Sequence, residues 1–216
     1  MKDFVLNNNQ KKIIKKIDFL GNKFYLAGGT ALALQIGHRT SVDFDFYSEK
    51  EFSSEKLLQK FKKVFKKDIS ESVIVEDTLK FKIKSTNLSF FKYEYPLIRP
   101  TIKWQSVNLA SLEDIAAMKM IAIVQRGTKR DFVDIYYLIK LFGISSIFKL
   151  TKQRYQEMFN QYIGSRSLMY FEDAEKKQAR TRIYLYDSSI DWKTIKSYLK
   201  DQVISFQKSI IKELRK

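Results

Sequence analysis

The segment Val42-Asp43-Phe44-Asp45-Phe46-Tyr47 alternates with period two, and it restricts what this chain can fold into more than any other feature. On a strand, successive side chains point to opposite faces. Val42, Phe44 and Phe46 are therefore expected to fill a core, while Asp43 and Asp45 share the other face. The preceding residues extend the constraint. Lys23 to Ala27 reads as a short strand ending at Gly28-Gly29, Thr30 to Ile36 as a short helix, and Gly37 to Ser41 as a loop. Strand, glycine pair, helix, loop and acidic strand in so short a span call for a layered α/β arrangement.

That arrangement has a chemistry. Two carboxylates at i and i+2 on one face can bind divalent cations, which a two-metal site holds about 4 Å apart. Carboxylate oxygens suit Mg²⁺, which takes a few of them together with phosphate oxygens and water. Gly28 and Gly29 let backbone N–H groups approach a phosphate, and the start of a helix favours an anion. Thr30 offers a hydroxyl to the same phosphate, and Arg39, in the loop, a guanidinium. His38 is the only histidine and there is no cysteine, so a histidine-based triad and zinc or disulfide chemistry are not expected. No Walker A pattern occurs.

A second constellation lies at Met118 to Leu138. Lys119 and Arg126 are seven residues apart and share a helix face. Two cations on an otherwise apolar helix suit a triphosphate, with Lys as a point charge and Arg as a fork. They can also pair with Asp131 or Asp134. Asp134 can orient a cation or act as a base.

Elsewhere the pattern is simple. Gln10 to Leu20 has helical spacing, with Ile13, Ile14, Ile17 and Leu20 on one face. Ser54 to Phe65 reads as an amphipathic helix, and Ser72 to Val75, Thr78 to Lys84 and Asn87 to Tyr93 as a meander. Pro96 and Pro100 punctuate. Ser111 begins a helix to about Arg126, with Asp114 at the capping-box position. Gly127 breaks it, and Thr128 with Asp131 caps a second helix to Leu141 or Phe142. The chain beyond Ser145 is mostly helical in pattern, ending in one long helix, continuous or broken, from Asp191 to Leu214. The expected fold is thus an α/β (α+β) core with a mixed sheet followed by a mostly α-helical lobe, the two meeting near residues 100–110.

Charge narrows the partners. A net +16 over 216 residues favours polyanions: nucleic acid, nucleotides or an anionic membrane face. An AT-rich coding bias toward Lys, Asn, Ile, Phe and Tyr produces a similar balance, and the charge is spread along the chain. No apolar run approaches the roughly 20 residues needed to span a bilayer. No signal peptide is read, so the cytoplasm is the expected compartment.

Together these stretches resemble the AbiEii/AbiGii toxin family of nucleotidyltransferases, within the polymerase-β-like superfamily. The residues that carry the resemblance are Ala27 to Gln35, Gly37 to Phe46, Leu112 to Lys119 and Arg126 to Leu138. Weaker matches are Phe90 to Leu97 and Tyr170 to Glu175. The resemblance implies a nucleotidyltransferase-like core over residues 1–105 and a helical lobe over 106–216 that completes the nucleotide site. It implies transfer of a nucleotide from an NTP, with Mg²⁺ or Mn²⁺, to an acceptor that in some members is tRNA. It also implies the toxin role in a type IV toxin–antitoxin pair of abortive infection, a phage defence, with a cognate antitoxin as partner. Carried over, Gly28, Gly29 and Thr30 hold phosphates, and Asp43 and Asp45 bind metal. Lys119 and Arg126 contact the triphosphate, and Asp134 completes the site. One position departs: the superfamily often places a third carboxylate on a later central strand, where Ser89 stands here. A catalytically degenerate protein that binds an NTP or RNA is the alternative reading.

Overall fold

The computed structural model describes residues 1–176 and 183–214. Residues 177–182, within the helical pattern expected beyond Ser145, lie outside the described residues. The chain forms two compact units, Met1–Ser111 and Leu112–Lys216.

The first unit is built on a seven-stranded mixed sheet. The strands are β1 (Tyr25–Ala27), β2 (Phe44–Ser48), β3 (Ile69–Val75), β4 (Thr78–Ile83), β5 (Thr86–Lys92), β6 (Ile102–Trp104) and β7 (Val107–Leu109). Their order across the sheet is β3-β4-β5-β2-β1-β7-β6. β2 runs antiparallel to β1 and parallel to β5, which places Asp45 beside Ala27 on one side and Ser89 on the other. β7 adds parallel to β1.

Phenylalanines hold one face of this sheet. Phe44, Phe46, Phe81 and Phe90 are buried, and Phe61 of helix α3 (Ser54–Phe65) lies among them. The Phe61 ring sits 4.8 Å from Phe81 and 5.3 Å from Phe90, and Phe46 stacks on Phe90 at 5.0 Å. Each such burial stabilises by about 1.5–3 kcal/mol relative to exposure. Because Phe46 faces α3, Asp45 faces the other way.

Several expectations are adjusted. Strand β2 begins at Phe44, so Val42 precedes it and is 48% exposed instead of filling the core. The first amphipathic segment splits into α1 (Asn8–Ile14), capped by the Asn7–Gln10 box, and a 3-10 turn at Asp18–Leu20. All four apolar residues of that segment remain buried. The hairpin of β6 and β7 was not expected. Its second strand pairs with β1, so residues 106–111 stay with the sheet and the first unit closes at Ser111.

The second unit is a helical bundle. Its described helices are α4 (Leu112–Gln125), α5 (Lys129–Phe142), α6 (Ile144–Tyr155), α7 (Gln161–Met169), α8 (Glu172–Glu175) and α9 (Trp192–Leu214). Helix α2 (Gly28–Ile36) belongs to the first unit. Gly127 does break the helix: with φ at +48° it adopts the left-handed conformation that stops α4. α4 packs against α5, α6 and α7. Gly164 of α7 leaves no room for a Cβ, which would meet the Phe159 ring at 2.9 Å. Asp114 is buried against Arg154 of α6, Nη1 donating to Oδ1 at 2.5 Å. α9 runs its 23 residues without a break. Among the described residues no helix is long and apolar enough to cross a membrane.

Candidate active site

The carboxylates of the first unit stand where β1 turns into α2. Gly28 has φ at +65°, which glycine adopts without steric cost. A Cβ there would also lie 3.1 Å from Asp45 Oδ2. At Gly29 a Cβ would fall 2.3 Å from Arg39 Nη2. The glycine pair therefore makes room for one carboxylate and one guanidinium, side by side at the start of a helix.

Arg39 does not stand out in the loop as a free phosphate ligand. It is 4% exposed, lies against Gly29 and donates from Nη1 to the Thr40 carbonyl at 2.9 Å. Thr30 is likewise turned inward, at 2% exposure. Its hydroxyl donates to the Asp43 carbonyl, and its oxygen lies 2.7 Å from Ser41 Oγ. Gln10 Nε2 donates to the Ser41 carbonyl at 3.0 Å. Thr30 and Gln10 thus pin the loop that carries Asp43. His38, also in this loop, is buried.

Asp43 and Asp45 share the face opposite the phenylalanines. Asn87 Nδ2 donates to Asp43 Oδ1 at 2.7 Å. Asn87 and Ser89 are two residues apart on β5, and Ser89 is level with Asp45. Lys80 of β4 comes next in the row, opposite Ser89. Both acids are half-buried, each retaining contact with solvent. Among the described residues no group of three or more His, Cys, Asp or Glu is disposed to hold a metal ion. The donor set fits Mg²⁺ all the same, because that ion is commonly held by one or two carboxylates with the rest of its shell from phosphate and water.

Sequence reading passed over three neighbours. Asn87 orients Asp43. Tyr47, two residues after Asp45, stacks 5.9 Å from Tyr25 and lies 5.2 Å from Phe91 and 5.3 Å from Tyr93. Lys80 holds its ammonium 5.7 Å from the Phe91 ring centre. The same period-two count that marks Asp43 and Asp45 puts Tyr47 on their face, and counting along β5 adds Phe91.

In the second unit the cations converge on acids. Lys119 Nζ lies 2.9 Å from Asp131 Oδ1 and 2.6 Å from Asp134 Oδ2. Arg126 grips Asp131 with both prongs, Nε to Oδ2 at 2.9 Å and Nη2 to Oδ1 at 3.1 Å. Thr128 donates its hydroxyl to Asp131 Oδ2 at 2.6 Å, beside the capping box of α5, in which the Thr128 N–H donates to Asp131 Oδ2 and the Asp131 N–H to Thr128 Oγ1. The side chains of Lys119, Asp131 and Asp134 are 8%, 1% and 0% exposed, whereas that of Arg126 is 63% exposed. Burial alone would push the Asp131 carboxyl up. The Lys119 charge, followed by the Arg126 and Thr128 contacts, outweighs it and holds the group well below the usual carboxylate range. Of the two roles that the sequence leaves open for Lys119, the structure favours pairing over an open phosphate contact. Asp134 is enclosed and bonded to Lys119. Asp131, read from sequence only as a cap and pairing partner, is the hub.

A family model described as nucleotidyl transferase AbiEii toxin, type IV TA system, matches residues 15–209. The chain belongs to the AbiEii nucleotidyltransferase toxin family. It is 37% identical over 206 residues to uncharacterized protein aq_aa25 of Aquifex aeolicus, covering 92% of this chain and 96% of that protein. The fold is similar to that of JHP933 from Helicobacter pylori, with TM-score 0.58, 19% identity, and 100% of this chain and 97% of that one covered. It also resembles MenT4, a nucleotidyltransferase toxin of Mycobacterium tuberculosis, with TM-score 0.57, 11% identity and 89% and 80% covered. The protein is a nucleotidyltransferase, as the family establishes and its mixed-sheet fold agrees. The AbiEii match spans both constellations.

Proposed function

We propose that this nucleotidyltransferase moves a nucleoside monophosphate from an NTP to a hydroxyl of an RNA acceptor of the tRNA class, with Asp43 and Asp45 as the metal-binding pair. The observation that carries the reading is the pair of half-buried carboxylates on one sheet face, held at the glycine turn by Thr30 and Asn87, with Asp45 seated over Gly28 where a Cβ would crowd it. The acceptor oxygen forms a bond to the α-phosphorus, the bond from that phosphorus to the bridging oxygen of pyrophosphate breaks, and the hydroxyl proton passes to solvent. A divalent ion, when bound, supplies charge neutralisation for the triphosphate. The glycine turn opens α2, whose N-terminus favours the phosphates. Arg39 acts by fixing the turn beside Gly29. Arg126, the exposed cation of the second cluster, contacts the triphosphate, and Lys119 with Asp134 holds Asp131 and the α4–α5 turn in place. As a toxin, the protein pairs with a cognate antitoxin in the cytoplasm.

A specific observation favours a second reading. Ser89 is level with Asp45, at the place where a third carboxylate would stand, so a binder without transfer activity is the alternative. One experiment separates them: purified protein with Mg²⁺, each α-labelled NTP in turn, and total tRNA, beside Asp43→Asn. Label fixed to RNA and lost in the variant supports the enzyme on an RNA acceptor. Label on the protein itself keeps the chemistry and moves the acceptor. NTP binding with no label anywhere supports the binder.

A further inference from the structure

Helix α3 carries an unbalanced charge. Lys56, Lys60 and Lys63 lie at i, i+4 and i+7, on one exposed face. Lys62 flanks them, and Lys66 and Lys67 follow in the next turn, all exposed. The only acid of the helix, Glu55, accepts a hydrogen bond from the Ser53 hydroxyl at 3.0 Å. Among the described residues none of these six lysines has a carboxylate within ion-pair distance. Some surface lysines elsewhere are matched, Lys82 with Glu71 at 2.5 Å, Lys152 with Glu157 at 2.8 Å and Lys196 with Glu175 at 2.6 Å.

The arrangement is unfavourable to the helix itself. Like charges at i,i+4 destabilise by roughly 0.2–0.5 kcal/mol per pair. The helix dipole rewards cations in the last turn, which accounts for Lys62 and Lys63. It does not account for Lys56 in the first turn or Lys60 in the middle of the helix. Lys66 also has φ at +48°, where glycine would relieve strain, and the chain keeps a cation there.

We infer that this lysine face is a docking surface for the phosphate backbone of a folded RNA. The inference rests on the RNA-acceptor reading above and adds where the RNA is gripped. The apolar side of α3 is unavailable to a lipid surface: Leu57, Leu58, Phe61 and Phe65 are buried against the sheet. A protein interface is centred on aromatic, Met and Arg anchors and is depleted of Lys. This face offers only Val64 among exposed large apolar residues of the helix. Lysine point charges that release counterions are what a phosphate backbone recognises.

Position sets the consequence. α3 lies on the phenylalanine face, opposite Asp45. Its outer surface is separated from the carboxylates by one helix and one sheet, on the order of 20 Å. The face therefore holds the body of the RNA, and the reacting hydroxyl is held elsewhere. A trinucleotide cannot reach both places, and a folded RNA can.

The test uses the full chain with Lys56→Gln, Lys60→Gln and Lys63→Gln combined, and the triple Glu variant beside it. Filter binding of tRNA is measured over a salt series, and transfer is measured to tRNA and to a trinucleotide acceptor. The expected result is at least a tenfold loss of tRNA affinity in the Gln variant and a larger loss in the Glu variant. The salt slope should fall by about 1 per lysine, with transfer to the trinucleotide unchanged. Wild-type transfer to tRNA together with unchanged binding and slope in the Gln variant overturns the inference and leaves the RNA reading intact. A wild type that neither binds nor labels RNA removes that reading and this surface with it. A Gln variant that keeps tRNA but releases anionic vesicles or an acidic protein assigns the face to the other partner and overturns the inference.

Discussion

The two charged clusters of this protein use the same residue types to opposite ends. In the sheet unit, Asp43 and Asp45 stand among an amide from Asn87, a loop pinned by the Thr30 hydroxyl and a glycine that leaves space, with the Arg39 guanidinium over the neighbouring glycine. Both remain half-exposed. In the helical unit, Asp131 and Asp134 are enclosed and matched by Lys119 and Arg126. A carboxylate meant to meet a metal or a phosphate-bound ion has to keep its charge available. A carboxylate meant to join two helices is best neutralised where it stands, because an unmatched buried charge costs several kcal/mol. On the proposed function, the half-exposed first cluster carries the reaction and, apart from Arg126, the enclosed second cluster is architecture.

The largest expected effect tests the first half of that assignment. Asp45→Asn keeps shape and removes charge. Loss of several kcal/mol of transition-state stabilisation corresponds to at least ~10³-fold in transfer rate. The thermal unfolding midpoint should stay within a degree or two, since the side chain is half-exposed. Nucleotide transfer and differential scanning calorimetry on the same preparation check both statements. A variant that is inactive only because it is unfolded would erase the contrast.

Next in size is Asp131→Ala. It leaves Lys119 and Arg126 without their shared partner, and breaking a buried pair costs about 3–5 kcal/mol. Denaturant unfolding should show that loss. The triple variant Asp131→Leu, Asp134→Leu, Lys119→Met should recover much of it, because apolar replacement of a whole buried ionic cluster is often neutral. The pH dependence has a definite sign. The Asp131 carboxyl is held below its ordinary value in the folded protein. Its contribution to stability is therefore present above the unfolded pKa of about 4 and is lost as pH falls below it. The acid limb of the stability profile should be shallower in Asp131→Ala than in the wild type.

Much of this was legible in the residues. The limits of α3 coincide with the amphipathic span Ser54 to Phe65, because its apolar spacing and the Ser53 cap are both local. The capping box of Thr128 and Asp131 is local for the same reason. The alternation that exposes Asp43 and Asp45 is a property of any strand. What stayed hidden depends on groups distant in sequence. β6 and β7 are three residues each, too short to show a period, and form because β1 offers a free edge. Thr30 looks like a phosphate ligand until the loop ending at Asp43 folds back over it. The hub role of Asp131 needs Lys119, a full helix away, to arrive from α4.

A smaller effect sharpens the comparison from inside the first cluster. Asn87 is exposed, so Asn87→Ala should cost under ~1 kcal/mol in stability. It removes the amide that orients Asp43, and loss of such a supporting contact to a metal ligand typically costs about 10–100-fold in metal affinity or activity. Two measurements separate orientation from packing. The Mg²⁺ concentration for half-maximal transfer should rise in Asn87→Ala, and excess Mg²⁺ should restore part of the rate. Asn87→Asp should behave differently: a second carboxylate beside Asp43 adds charge to the site, and the metal requirement should shift in the opposite sense. If the alanine variant loses activity with no change in metal dependence, Asn87 supports the fold of β5 instead. Exposure alone would then distinguish the sheet-unit carboxylates from the helical cluster.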